Sequence, residues 1–125
     1  MTDEDIYRLL NRLGLTANYA GFFYLACAVR RAAENPRRLV RVTKRLYPEV
    51  AGYYQTTWQA VERSIRTVID VAWKISPQTV SELARHPLSA KPSVSQFISI
   101  LAYQFLLRDD MAVEAQAKTT ELARK

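Results

Sequence analysis

Three observations predict an all-α fold, a compact bundle of about six or seven helices containing a helix-turn-helix. The 125 residues include three glycines and five prolines and are otherwise rich in Ala, Leu, Arg and Glu, which lose little in a helix. Apolar residues recur at i, i+3, i+4 and i+7 in segment after segment. Between those segments stand Gly, Asn-Pro, Thr-Thr and Ser-Pro, the residues that cap, end and restart helices. The length fits one domain, 1–125, able to bury roughly two-thirds of its unfolded surface.

The first helix takes Thr2 or Asp3 as its cap and sets Ile6, Leu9, Leu10 and Leu13 on one face, with Gly14 able to supply a left-handed stop. The second, from about Tyr19 to Ala33, is apolar on most sides through Phe22, Phe23, Leu25, Ala26 and Val29, which marks a central core helix. Asn35 and Pro36 end it. Pro36 suits the first turn of a third helix running to about Leu46, with Leu39, Val42 and Leu46 inward and Arg37, Arg38, Arg41, Lys44 and Arg45 outward. Pro48 interrupts that helix, so YPEVAGYY restarts as a separate short one.

QTT is then a tight break in which Thr56 or Thr57 caps the next helix. From Trp58 to about Lys74 runs the clearest helix of the chain. Val61, Ile65, Val68 and Ala72 form an apolar stripe; Gln59, Arg63, Arg66 and Asp70 lie opposite it, flanked by Glu62 and Thr67. SPQTVSELA makes a short helix with Ser76 as cap and Pro77 in first position. RHPLSAKP is the one sizeable loop. A last helix from near Ser93 buries Phe97, Ile98, Leu101 and Phe105 before turning polar after Arg108.

A balance of 18 Lys and Arg against 12 Asp and Glu gives a net charge of +6. It favours a polyanionic partner, with nucleic acid first and an anionic membrane surface second. No segment approaches the ~18 uninterrupted apolar residues of a membrane span, and the acidic start MTDEDIYRLL is unlike a signal peptide, so a cytoplasmic protein is expected. Cys27 has no partner cysteine and reads as a small buried hydrophobe. His86 is the only histidine, there is no Gly-rich phosphate loop or nucleophile elbow, and Asp109 and Asp110 point to different sides of a helix. No enzyme activity, metal or cofactor is expected. Trp58, Trp73 and the tyrosines read as core and rim packing.

A short helix, a break and a longer helix with an apolar inner stripe is the outline of a helix-turn-helix. The first two turns of the second helix are the part that enters a major groove. There Arg63 can donate two bonds to guanine O6 and N7, Gln59 can pair with an adenine edge, and Glu62 can accept from cytosine N4. The same residues also fit a solvated face, on which Glu62 and Arg66 form a surface pair worth ~0.2–0.5 kcal/mol. The pattern alone leaves both readings open. Arg37, Arg38, Arg41, Lys44 and Arg45 precede the motif and are either flanking phosphate contacts or an exposed solubilising face. Thr56, Thr57 and the helix N-terminus can hold a phosphate.

The segment LYPEVAGYYQTTWQAVERSIRTVIDVAW resembles the helix-turn-helix core of the effector domain of the sporulation master response regulator, the stage zero sporulation protein A family. The likeness rests on LYP, the paired Thr56 and Thr57, VERSIR and VAW, with GFFYLACAV upstream and AKPSVSQFIS downstream, and spans roughly residues 6 to 108. It implies an all-helical domain that binds short asymmetric operator boxes in double-stranded DNA, often as a head-to-tail homodimer on tandem sites. It also implies activation or repression of transcription, with the RNA polymerase sigma subunit as a partner.

By that resemblance Glu62, Arg63 and Arg66 match the positions that face DNA, joined by Gln59; Thr56, Thr57, Thr67 and Lys91 are phosphate candidates. Two departures stand out. Gln59 and Ala60 replace a small polar and a basic residue just before VER, which implies a shifted operator preference. The family's regulators also carry an N-terminal receiver domain with a phosphorylatable aspartate, for which 125 residues leave no room. The chain is expected to be either an effector fragment or a receiver-less relative. The competing expectation is a helical interaction module that pairs with a full-length regulator or RNA polymerase without binding DNA.

Overall fold

Residues 1–107 are described by a computed structural model. Asp109, Asp110 and the polar stretch after Arg108 lie outside the described residues. The first element, α1 (Asp3–Arg12), starts on a reciprocal cap: Thr2 Oγ1 accepts from the Asp5 amide, and the Asp5 carboxylate accepts from the Thr2 amide. Ile6, Leu9 and Leu10 of α1 are buried. Gly14 takes φ +84° just after the helix, the left-handed stop that its position predicts.

The core helix α2 (Ala20–Glu34) buries Phe22, Leu25, Ala26, Ala28, Val29, Ala32 and Ala33. Phe23, assigned to the core from its spacing, is instead partly exposed. Its ring stands edge-on to Tyr7 and Phe22 at 5.9 and 5.2 Å between centroids. A loop over 13–19 joins α1 to α2 and buries Leu13 and Leu15. RHPLSAKP is therefore not the only sizeable loop: the core, rather than the loop's own polarity, holds 13–19 in place.

The third helix expected over 36–46 does not form as one α-helix. Pro36–Leu39 is a 3₁₀ turn capped by the Asn35 side chain, which accepts from the Arg37 amide. At Arg41 the backbone leaves helical geometry, with φ −137° and ψ 64°. Val42–Leu46 is then a wide π turn, closed by the Tyr47 amide donating to the Val42 carbonyl. Two causes, one tertiary and one local, override the helical period. Arg38 turns inward, its Nε 2.8 Å from a buried Glu49 carboxylate oxygen and its Nη1 donating to the Arg31 carbonyl at 2.8 Å. Pro48 lacks an amide donor, and the wider turn before it carries the chain into α3 (Tyr47–Tyr53) without the break expected there. Leu46 is fully buried, while Leu39 and Val42 are only half-buried.

α4 (Trp58–Ile75) buries Val61, Ile65, Val68, Ile69 and Ala72, at about 1.5–3 kcal/mol for each large side chain removed from water. It packs chiefly on α2 and α3. At Gly21 of α2 the two helices approach so closely that a Cβ would overlap the Ser64 carbonyl. Ser76 stands where α4 ends and α5 (Pro77–Ala84) begins, but its hydroxyl caps neither helix start: it lies 2.9 Å from the Leu13 carbonyl and 3.0 Å from that of Ala72. The last described helix, α6 (94–107), starts on a reciprocal pair between Ser93 and Gln96 and buries Phe97, Ile98, Leu101 and Phe105. Gln104 ties it to the Leu83 carbonyl of α5 at 2.8 Å. The described residues form an all-α bundle around one core.

Candidate nucleic-acid interface

The turn between α3 and α4 is fixed by backbone geometry more than by composition. The Thr56 amide donates to the Ala51 carbonyl at 2.9 Å and the Gln55 amide to that of Gly52 at 3.4 Å, while Gln55 takes φ 54°. That pattern is a Schellman stop with glutamine in the left-handed position. Thr57 is the N-cap of α4: its Oγ1 accepts from the Ala60 amide at 3.2 Å. The hydroxyl proton of Thr57 is thereby left to donate elsewhere.

Burial of Val61, Ile65 and Val68 turns the opposite side of α4 outward, and Gln59, Arg63, Arg66, Thr67 and Asp70 are exposed there. Glu62 lies at the edge of that face, half-buried, and receives a bond from Arg66 one turn later. Lys91, from the loop before α6, reaches the same face and pairs with Asp70. The Thr67 hydroxyl donates to the Arg63 carbonyl at 3.1 Å, so its one proton is in use. Among the described residues, Arg63 and Gln59 have no side-chain partner.

The outer face therefore carries two neutral pairs and one unpaired cation. Arg63 can donate at once, whereas Arg66 and Lys91 must exchange a protein carboxylate for any new acceptor. That exchange is cheap, because an exposed ion pair is worth only ~0.2–1 kcal/mol.

Two relationships that spacing does not show bear on this face. Asp70 anchors Lys91 across 21 positions, a pairing that leaves no local trace in the sequence. Tyr47, at the start of α3, is buried, and its phenol is pushed up to about 12, chiefly by that burial and then by the Glu62 carboxylate, with the Arg66 charge opposing. The phenol thus lies within electrostatic reach of both members of the Glu62–Arg66 pair.

The predicted site residues divide accordingly. Gln59, Glu62, Arg63, Arg66 and Thr67 share one side of α4, Thr56 and Thr57 sit at its start, and Lys91 is brought to it from outside. Arg38, expected to face outward, is spent on Glu49. Cys27 is half-buried and accepts from Arg31 Nε at 3.4 Å. Trp73, Trp58 and Tyr54 are partly exposed, and Tyr53 is largely so. No group of three or more His, Cys, Asp or Glu that could hold a metal occurs among the described residues. No described helix is long and apolar enough to cross a membrane. Over residues 6–105, from the first core side chain of α1 to the last of α6, the chain matches the family described as sporulation initiation factor Spo0A C terminal, and it belongs to that family of DNA-binding effector domains.

Proposed function

We propose that the chain acts as a single effector domain that binds duplex DNA sequence-specifically to regulate transcription, with α3 and α4 working as a helix-turn-helix and α4 lying in the major groove. The observation that carries this reading is Arg63, exposed on the outer face of α4 with its guanidinium unengaged among the described residues. An arginine so placed matches the O6 and N7 acceptors of a guanine. Gln59, one turn before it, reads an adenine edge. Glu62 accepts from a cytosine amine, and Arg66, released from it, takes a guanine or a phosphate.

Thr57 and the first amides of α4 hold a backbone phosphate, as the positive end of a helix dipole favours. Thr56, Thr67 and Lys91 add weaker phosphate contacts, the last two after exchanging their present partners. Membership of the family supports head-to-tail pairing on tandem sites and contact with the sigma subunit of RNA polymerase in the cytoplasm. The runner-up, an interaction module that does not bind DNA, draws on the exposed aromatic rings of Phe23, Tyr53 and Tyr54.

Titration onto a duplex carrying the family's 0A box and onto a scrambled duplex, at several salt concentrations, separates the two. Base reading predicts a preference for the box, and phosphate contacts predict a steep loss of affinity with salt. Equal, weak binding to both duplexes would sink the proposal in favour of the interaction module.

A further inference from the structure

The reading face of α4 is nearly neutral: Glu62 cancels Arg66 and Asp70 cancels Lys91. Most of the unengaged positive charge among the described residues therefore lies off that face. Arg8, Arg30, Arg31 and Arg38 are committed to Glu4, Asp3, Glu34 and Glu49. The densest run of unengaged cations among the described residues is the irregular link between α2 and α3, where Arg37, Arg41, Lys44 and Arg45 are exposed and no acidic residue occurs from Pro36 to Pro48.

We infer that this link is a second, sequence-independent contact for the sugar-phosphate backbone of duplex DNA, made by Arg37, Arg41, Lys44 and Arg45. The inference rests on the proposed DNA-binding function. Its geometry comes from the break that replaced the expected helix. Arg37, Arg41 and Arg45 line one shallow hollow together with Val40. Arg38, the remaining arginine of the run, is turned away and tethers the link to Glu49. Val40 is 80% exposed among these arginines. An apolar side chain ringed by guanidinium groups suits a chain of deoxyribose rings joined by phosphates better than it suits a free anion.

The link also lies beside the reading helix. It runs directly into Tyr47, whose phenol feels Glu62 and Arg66. At its other end Leu39 lines a hollow shared with Pro92, next in sequence to Lys91. A backbone strand flanking the groove that α4 enters would thus pass along these cations, since the first helix of such motifs crosses the backbone and the link leads directly into α3.

The test uses the full chain carrying Arg41→Gln and Arg45→Gln, compared with the unaltered protein on box and scrambled duplexes across a salt series. Neither side chain has a partner among the described residues, and equal thermal melting confirms the fold. The expected result is weaker binding to both duplexes by the same factor, a logarithmic salt slope shallower by about 1 to 2, and an unchanged preference ratio. A salt slope and affinity equal to those of the unaltered protein would overturn the inference. So would an unchanged slope accompanied by lost binding to vesicles of anionic phospholipid, which would assign the cations to a membrane surface. If the unaltered protein shows no preference between duplexes, base reading by α4 fails, while the slope difference still decides the link on its own.

Discussion

Arg66 donates to the carboxylate of Glu62 one helical turn earlier on α4, so two of the four proposed base readers hold each other in the free domain. Such an exposed pair contributes only ~0.2–0.5 kcal/mol to folding. Glu62→Ala and Arg66→Ala should each therefore leave the urea unfolding free energy within about 0.5 kcal/mol of the parent. On the 0A box each should cost about 1–3 kcal/mol of discrimination, at a different base pair. A binding loss no larger than the folding loss would reduce the pair to surface packing.

Arg63 needs no such exchange, which makes it the more direct probe. Arg63→Ala should lower the preference for the box over a scrambled duplex by about 1–3 kcal/mol. The melting temperature should be unchanged, because the side chain is exposed and unengaged among the described residues. Undiminished discrimination would mean that α4 meets DNA on a different side from the one proposed.

What was legible in the sequence follows from which forces are local. The stripe Val61, Ile65, Val68 and Ala72 and the cap at Thr57 are set within one helix, and both stand as the spacing predicts. The exposed face of Gln59, Arg63 and Arg66 follows from the same period. The link over 36–46 departs from its own period because Arg38 is drawn to Glu49, outside the window in which that period is counted, and because a wide turn before Pro48 carries the chain on where a break is expected. The engagement of Lys91 with Asp70 was illegible for the same reason, since two residues 21 positions apart meet only through the fold. Ser76 has the right residue type for a cap, yet its hydroxyl is drawn to the Leu13 carbonyl, a partner 63 positions away.

Tyr47 supplies a prediction in pH. Its folded-state value, about 12 against an ordinary 10.0, is raised first by burial and then by the Glu62 carboxylate, with Arg66 opposing. Because the folded value lies above the unfolded one, the folded state keeps its proton longer. Stability is fully present below pH ~10 and is lost as the pH rises through ~12, by about 2–3 kcal/mol at most. Urea midpoints at pH 9 and pH 11.5 should fall more steeply for the parent than for Tyr47→Phe. Parallel falls would place the alkaline sensitivity on other groups. Tyr54 is also raised to about 12, but it is 37% exposed, so Tyr54→Phe should have the smaller effect.

The turn that aims α4 carries a cost that a substitution should relieve. Gln55 occupies the left-handed position of the Schellman stop at φ 54°, where a Cβ crowds the backbone by roughly 1–2 kcal/mol and glycine would not. Glycine adds freedom to the unfolded chain, which offsets roughly 0.4–1 kcal/mol of that relief. Gln55→Gly should therefore stabilise the domain by about 0.5–1 kcal/mol in urea unfolding. The two amide bonds to Ala51 and Gly52 are made by the backbone and survive the change, so the angle between α3 and α4 is kept. Affinity for the 0A box should accordingly stay within about twofold of the parent, which a titration at one salt concentration checks. A destabilised but still DNA-binding variant would show that the glutamine side chain contributes more to the turn than its backbone strain removes.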